Sequence, residues 1–272
     1  MPKRLKPFYR WALCSYGSTR AAALIRIGLA LLIWARWADE MVLLRATDTA
    51  AIFCSVGFFL TSTLMLAGYW SQVTSLATGL LLLVLYILRP SWQHHHTYLL
   101  IISTILVALT PCGRSYAVDR WLALRRAKRQ GAAAPREEGN LWGMRLIALQ
   151  VSLLYFWTAY DKLYWGFLSG ARMQHYFYFH YPGFDYRSIP GFDALCFLVS
   201  IVTVVLEFLL SFGLFIGRLR CYLIPAGIVL HGLFYVLLPI ETFTLTILLL
   251  YLAFLPADAF HSGIDAIQGN AR

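Results

Sequence analysis

Long apolar stretches dominate the chain, and polar residues gather in the short segments between them. A membrane-crossing helix needs ~20 mainly apolar residues, and about eight stretches meet this requirement. In chain order the predicted spans are 21–37, 51–69, 73–88, 96–111, 141–163, 192–216, 219–238 and 241–255. Lipid offers backbone groups no hydrogen-bond partner, and the chain lacks the period-two alternation of a barrel, so the spans are predicted to be helices. The pattern predicts an all-α integral membrane protein, a single transmembrane domain over 1–272 with no separate soluble domain.

Composition supports the same class of protein. The 272 residues are 60% hydrophobic and only 13% charged, and the mean hydropathy is +0.64, which is untypical of soluble domains. The formal net charge of +10 is explained by basic loops held on the cytoplasmic side, so no nucleic-acid partner is predicted. The five cysteines stand singly, without C-x-x-C or metal-ligand spacing, and indicate neither a disulfide framework nor a thiol-redox site.

Arginine and lysine predict the orientation of the spans. They cluster before the first span in "KRLKPFYR", in the segment 113–140 between the fourth and fifth spans, and in "GRLR" between the sixth and seventh. With eight spans, all three clusters lie on one side of the membrane. The positive-inside rule makes that side the cytoplasm, with both termini there and 113–140 as a basic cytoplasmic loop. We expect the membrane to be a bacterial inner membrane.

The opposite, outer side collects unusual polar residues. They include Lys162, the histidines at 94–96, His231 and the aromatic segment 167–191, which is predicted to be an outer loop. Lys162 is one of four lysines, and the other three lie in cytoplasmic segments. A charge within the hydrocarbon costs ~2.5–3.5 kcal/mol on insertion scales, so it tends to face a cavity or a partner. The alternative is a lysine that snorkels to the interface beside a belt of Trp and Tyr.

Helical spacing places possible partners around Lys162. Tyr155, Thr158 and Trp165 share its helix face through offsets of three, four and seven, whereas Asp161 is turned away. An amine in apolar surroundings favours its neutral form and can act as a base near neutral pH, although a nearby carboxylate opposes this. The spacing therefore leaves open whether Asp161 is a partner of Lys162.

Two further charged residues, Arg26 and Glu207, lie within the predicted spans. Arg26 lies about six residues into the first span and can snorkel back to the cytoplasm, while Glu207 lies near the middle of the sixth. The two residues could pair, but no spacing rule across separate helices decides it. A metal site built from His96, His175 and His180 is a weaker alternative, since their spacing fits no recognised ligand pattern. We therefore predict no metal.

Several longer stretches resemble a known family. They are "RIGLALLIWARW" at 26–37, "HHHTYLL" at 94–100, "LTPCGRSYAVDRW" at 109–121, "YFWTAYDKLYWGFLSG" at 155–170 and "VLHGLFYVLLPIETFTLTILLLYLAFL" at 229–255. In content and order they are similar to the horizontally transferred transmembrane domain family, which includes the membrane part of vitamin K-dependent gamma-carboxylase. The resemblance covers nearly the whole chain.

This resemblance implies a chemistry and a set of site residues. In the carboxylase, a lysine matched by Lys162 deprotonates a vitamin K-type hydroquinone, oxygen converts the quinol to an epoxide through a strongly basic alkoxide, and carbon dioxide adds to the deprotonated glutamate. His96 and His231 match histidines of the family, and together with Lys162 they are the expected catalytic residues. Tyr98, Tyr155, Trp165 and Arg172 are the expected substrate-binding residues. The implied partners are the lipid bilayer, a quinone-like lipid and a secreted peptide or protein.

Two departures from the carboxylase limit what the resemblance implies. Asp161 stands where the carboxylase has a second lysine, and the chain ends at "ADAFHSGIDAIQGNAR" without the large lumenal region that recognises a protein substrate. We therefore expect quinol-dependent chemistry on a smaller or different substrate. The alternatives are a non-catalytic partner or maturation factor for secreted peptides, which docks through 167–191, and a transporter.

Overall fold

The computed structural model describes residues 12–44, 49–238 and 240–267, and nearly all of them are helical. For Leu44, His95, His96, Ala266 and Ile267 the description covers the backbone alone. The elements in chain order are β1 Tyr16–Ser18, α1 Arg20–Leu44, α2 Thr49–Ala67, α3 Ser71–Leu88, α4 His95–Val107, α5 Val118–Arg129, β2 Glu138–Asn140, α6 Trp142–Asp161, α7 Trp165–Leu168, α8 Ala171–His180, α9 Phe192–Gly213, α10 Gly217–Leu237, α11 Glu241–Leu250 and α12 Ala257–Ile267. Short 3₁₀ turns lie at Pro90–Trp92, Tyr186–Ser188 and Tyr251–Phe254.

The apolar helices make the chain an integral membrane protein. Within the described ranges, five helices are long and apolar enough to cross a membrane, namely α1, α2, α3, α9 and α10. The pair Glu241–Phe254 and Ala257–Asp265, bent by 102°, makes a sixth if it counts as one span. α4 has only 13 residues, and Arg145 and Gln150 lower the mean hydropathy of α6. The predicted membrane character is confirmed, whereas the predicted count of eight spans is not.

The chain divides into two compact units. The first contains residues 1–148 and 242–272, and the second contains 149–241. Helix α6 begins in the first unit and ends in the second.

The core of the first unit follows one face of α1. Fully buried side chains recur at every fourth position, which is the spacing that keeps residues on one side of a helix. They are Ile25, Leu29, Ile33, Trp37 and Met41. Trp37 also stacks on Trp92 with ring centroids 5.0 Å apart, and the Trp92 indole donates to Glu40 at 2.6 Å. The hydrogen bond from Trp92 to Glu40 thus ties the C-terminal part of α1 to the 3₁₀ turn Pro90–Trp92.

Arg26 lies on this buried stripe and caps the end of α2. Its guanidinium is 0% exposed and donates to the carbonyl oxygens of Leu66 at 2.9 Å, of Met65, and of Tyr116 at 2.7 Å. The last carbonyls of a helix have no partner within it, and a cation there also complements the helix dipole. The buried guanidinium does not reach water, so Arg26 does not snorkel, and the open question of its partner is answered by backbone carbonyls that accept its hydrogen bonds.

Asp119 caps the neighbouring start of α3. Its carboxylate accepts the backbone N–H groups of Trp70 and Ser71, both at 2.8 Å, and the Ser71 hydroxyl at 2.7 Å. Between the two caps, Gly68 has a φ of +73°, and a Cβ there would meet Arg26 Nη1 at 2.6 Å. A charged residue at each helix end and a glycine in between explain the tight turn from α2 to α3.

A small antiparallel sheet ties three segments of the first unit together. β1 pairs with β2 in the register Tyr16↔Asn140 to Ser18↔Glu138. Beside it, Arg20 bonds Glu137 at 2.8 Å and Asp265, on α12, at 2.6 Å. The predicted basic loop 113–140 therefore carries a helix, α5, and a strand, β2. Sequence patterns did not indicate this strand, since its three residues pair with a partner more than a hundred positions away.

The second unit comprises the C-terminal part of α6, from Leu149, and helices α7 to α10. A hydrophobic cluster of Tyr186, Phe192 and Cys196 packs against Phe177 and Tyr181. The segment 167–191, predicted to be an outer loop, thus contains α8 and a 3₁₀ turn that are packed against α9.

Candidate functional site

A buried ion pair joins the end of α6 to α9 within the second unit. Lys162 Nζ lies 2.8 Å and 2.7 Å from the two carboxylate oxygens of Glu207 and also donates to the Thr158 carbonyl at 3.1 Å. The side chain of Glu207 is 5% exposed and that of Lys162 is 24% exposed. The amine is therefore anchored on one side and accessible on the other.

The position of Glu207 along α9 sets the depth of this pair. Glu207 lies 15 residues after Phe192, the first residue of α9, and six before Gly213, the last. At the helical rise these separations are about 22 Å and 9 Å. The carboxylate therefore lies inside the apolar span, and Lys162 points to it. A snorkelling lysine would instead extend toward water at the membrane surface.

A second buried polar pair joins α6 to α10. Tyr155 and His231 are each 1% exposed, and the Tyr155 hydroxyl lies 2.6 Å from His231 Nε2. Which of the two atoms donates depends on the histidine tautomer. His231 also makes an edge contact with the ring of Phe234, at 5.7 Å between centroids. Tyr155 precedes Lys162 by seven positions, about two turns of α6, so the two pairs lie along the same helix.

Aromatic packing holds α6 against α9 beside these two pairs. The ring of Phe156 makes edge contacts with Phe208 and Phe212, both at 5.9 Å. One turn earlier, the Ser152 hydroxyl donates to the Ser211 carbonyl. Edge-to-face ring contacts contribute energy beyond the burial of their area. They also surround the polar pairs with apolar groups, which strengthens electrostatic interactions there.

The end of α6 differs from the predicted helical face. α6 ends at Asp161, and the N–H groups of Lys162 and Leu163 bond to carbonyls three residues back, at 3.2 Å and 2.9 Å. Such tightening is usual in a final turn. Trp165 begins α7 and is 78% exposed, so it does not continue the face of Lys162. Phe167 takes the nearby place, with its ring centroid 5.8 Å from Lys162 Nζ.

Glu207, and not Asp161, is the acid that pairs with Lys162. Asp161 is exposed, in agreement with the helical offset that turned it away. The sequence presents Glu207 as a lone acid within a span and leaves Arg26 open as its partner. The available signal was that Lys162 and Glu207 are isolated opposite charges in neighbouring spans. Helical periodicity cannot show which two helices lie side by side.

No contact with Lys162, Tyr155 or His231 is found for the remaining expected site residues within the described part of the chain. Arg172 is exposed on α8, and a hydrogen bond to Tyr176 raises its pKa. Tyr98 belongs to the first unit, is 49% exposed and lies 6.0 Å from the Tyr86 ring. His96 is in the first turn of α4, but its side chain lies outside the described part. Of the expected residues, the structure brings together Lys162, Tyr155 and His231.

Neither a cleft of the first unit nor a metal-ligand cluster coincides with Lys162 among the described residues. Three clefts lie in the first unit, and Lys162 lines none of these three. The described ranges contain no group of three or more His, Cys, Asp or Glu residues placed to hold a metal ion. His175 and His180 instead stack on Phe179 and Tyr176, with centroids 6.1 Å and 6.3 Å apart.

Comparison with known proteins gives one match. A family model described as the HTTM domain matches residues 37–258. The matched range contains the histidine segment 94–100, the Lys162 segment 155–170 and the His231 segment 229–255. No curated protein and no solved structure matches significantly.

Proposed function

Because the chain belongs to the HTTM domain family, the membrane domain of vitamin K-dependent gamma-carboxylase-like proteins, we propose that it is a membrane enzyme that uses a reduced quinone. Its site would be an intramembrane pocket that opens outward, with Lys162 as the base. The observation that carries this proposal is the pairing of Lys162 with Glu207 inside the span. A residue pair able to hold and release a proton there is what such chemistry requires.

The ion pair offers a way to generate a neutral amine. Lys162 can accept a proton at Nζ only after giving up its own, and both oxygens of Glu207 are within 2.8 Å to take it. In a medium of low dielectric constant a separated charge pair is expensive, so transfer of that proton to Glu207 exchanges two charges for two neutral groups. Lys162 then becomes a base, and Glu207 stores the proton. Glu207 is therefore the proton acceptor that Lys162 needs before it can act as a base.

The side chains around Lys162 suit the binding of a quinol. The amine is about a quarter exposed, the ring of Phe167 lies beside it, and Tyr164 and Trp165 are exposed next to it. An aromatic ring with hydroxyl groups suits an amine among aromatic side chains. A bound quinol would supply a phenolic proton and reducing equivalents, with O2 and CO2 as the co-substrates that the family implies. His231 and Tyr155 would pass a proton onward, because each can donate and accept.

The remaining expectations complete the proposal. His96 and Tyr98 in the first unit, and Trp165 and Arg172 in the second, stay expected site residues. The chain would cross the membrane eight times with both termini in the cytoplasm of a bacterial cell. The basic segments that follow the positive-inside rule support this orientation.

The test compares quinol consumption by purified proteins in lipid nanodiscs. The wild-type chain should bind a menaquinol and consume it in an oxygen-dependent reaction, and Lys162→Met should abolish consumption. Lys128→Met removes a lysine from exposed α5 and serves as the matched control, with consumption expected at the wild-type rate. Absence of quinol binding by the wild type, or equal rates for Lys162→Met and wild type, would refute the proposal.

A second candidate function is docking of a secreted peptide. Two large apolar side chains of the segment 167–191, Phe179 and Phe184, are 70% and 69% exposed, and exposed apolar surface often marks an interaction site. In that case Lys162 is structural. Complementation of a deletion strain separates the two functions. Phe179→Ser with Phe184→Ser should fail and Lys162→Met should succeed if docking is the function, and the reverse is expected for the enzyme.

A transporter is the third alternative, and one observation favours it. The Lys162–Glu207 pair lies where α6 ends and the chain turns into α7, and Pro225 interrupts the hydrogen bonding of α10. Broken helices with charges at mid-depth are typical of transporter binding sites. Transport would appear as substrate-dependent flux into proteoliposomes without consumption of quinol.

A further inference from the structure

A large cleft lies in the first unit, and Lys162 is not among the residues that line it. It has a volume of about 1090 Å³ and is bordered by β1, the start of α3, α5 and β2. Three arginines line it, Arg114, Arg120 and Arg136, together with the exposed aromatic residues Trp70 and Tyr16. A pocket of this size that combines guanidinium groups with aromatic rings can hold a phosphorylated ligand.

The arginines keep donors available for a ligand. Arg114 donates one N–H to the Glu138 carbonyl at 2.6 Å. Arg120 donates to the Pro135 carbonyl and lies 3.7 Å from Glu137. Arg136 is exposed, and none of the ion pairs found among the described residues includes it. Each guanidinium has five N–H donors, so most remain unused.

The acidic residues of the cleft neutralise only part of this charge. Asp119 already accepts three hydrogen bonds from the start of α3. Glu137, which lies behind the cleft, bonds Arg20 at 2.8 Å. The Glu138 side chain also lines the cleft and opposes an anion. The cleft is thus lined by three arginines and by two acidic residues, Asp119 and Glu138. The excess of positive charge favours an anionic ligand.

Helix α5 indicates that this ligand comes from the membrane. Its exposed apolar residues Trp121 and Leu124 lie beside a basic face that consists of Arg125, Arg126, Lys128 and Arg129. The Arg125 guanidinium stacks 3.8 Å above the Trp121 ring. Short helices of this kind lie in the membrane interface and attract anionic lipids. The cleft would thus open among lipid headgroups.

We propose that this cleft binds the phosphate of an anionic phospholipid headgroup through Arg114, Arg120 and Arg136. Arg114 and Arg136, which are exposed, would donate to the phosphate, and the exposed rings of Trp70 and Tyr16 would contact the rest of the headgroup. The proposal does not depend on the reaction at Lys162. A lipid bound there would anchor α5 and β2 to the membrane surface.

Native mass spectrometry of the full chain in neutral detergent tests the proposal. Short-chain phosphatidylglycerol is titrated against wild type and against Arg114→Gln/Arg136→Gln. The double variant should bind at least about tenfold more weakly, since charge-assisted hydrogen bonds to phosphate are lost. Arg187→Gln/Arg218→Gln removes the same charge from exposed positions outside both the cleft and α5 and should change the affinity less than about twofold.

Further arms separate the sources of phosphate. Phosphatidylcholine and glycerol 3-phosphate should both bind weakly to wild type. Equal loss in the cleft and control variants would show diffuse attraction and overturn the proposal, as would equal affinity for phosphatidylcholine. Tight binding of glycerol 3-phosphate would show a soluble-phosphate site and overturn the lipid assignment. If the double variant does not fold, Arg136→Gln alone, at an exposed position, should still lower affinity, and an unchanged affinity would overturn the proposal.

Discussion

Removing the acid of the Lys162–Glu207 pair should destabilise the protein measurably. Glu207→Gln keeps the shape of the side chain but leaves the Lys162 ammonium without its counter-charge. Breaking a buried pair by removing one partner costs ~3–5 kcal/mol. The side chain of Lys162 is 24% exposed and can be partly solvated, so we expect about 2–3 kcal/mol.

Thermal unfolding in detergent measures this loss. At ~2–4 °C per kcal/mol for a chain of this size, Glu207→Gln should lower the Tm by about 4–12 °C. Adding Lys162→Met should recover most of the loss, because a double change removes both charges and the two effects are coupled. Exposed Asp161 provides the control, and Asp161→Asn should change stability by less than about 0.5 kcal/mol. A larger loss for Asp161→Asn than for Glu207→Gln would refute the assignment of the partner.

Three further predictions concern other parts of the structure. Arg26→Gln should destabilise the protein by about 2–4 kcal/mol, because it removes a buried guanidinium that caps α2, and Arg26→Lys should recover less than half of the lost Tm. Gly170→Ala should lower the Tm, because the φ of Gly170 is +84° and an added Cβ would lie 2.5 Å from a backbone nitrogen of α9. Gly183→Ala is the control and should leave the Tm unchanged, because no atom lies within 4 Å of an added Cβ there. Burial raises the pKa of the Cys112 thiol, so less thiolate is present at a given pH. Maleimide at pH 7 should therefore label Cys14, which is exposed and lies outside the spans, before Cys112, and equal rates would contradict the burial.

The positions of most helices could be predicted from the sequence. Predicted spans 51–69, 73–88 and 192–216 correspond to α2 Thr49–Ala67, α3 Ser71–Leu88 and α9 Phe192–Gly213. Membrane spans are easy to locate because the bilayer demands a long apolar run. The ordered segments α5 and α8 could not be located in this way, since their stability comes from packing and pairing with distant residues.

The candidate site was only partly predictable. Lys162, Tyr155 and His231 stood out as polar groups in apolar surroundings, and the structure brings them together. The partner of Lys162 was not predictable, because Glu207 lies 45 positions away on another helix. The role of Arg26 was not predictable either. Its hydrogen-bond acceptors are backbone carbonyls, which every residue has, so no acidic residue in the sequence indicates them. Which side chains pair between two helices depends on how the helices pack, and the periodicity of one helix does not predict that packing.

The most direct test of the central claim uses a variant that replaces the whole pair with apolar residues. Lys162→Met/Glu207→Leu should remain folded, because a buried ion pair can often be exchanged for apolar groups with little loss of stability. Quinol consumption by this folded variant in nanodiscs is the quantity to measure. The account predicts that consumption is abolished while the Tm stays within a few degrees of wild type, about 2–4 °C. Consumption at the wild-type rate by the same folded variant would contradict a catalytic role for Lys162.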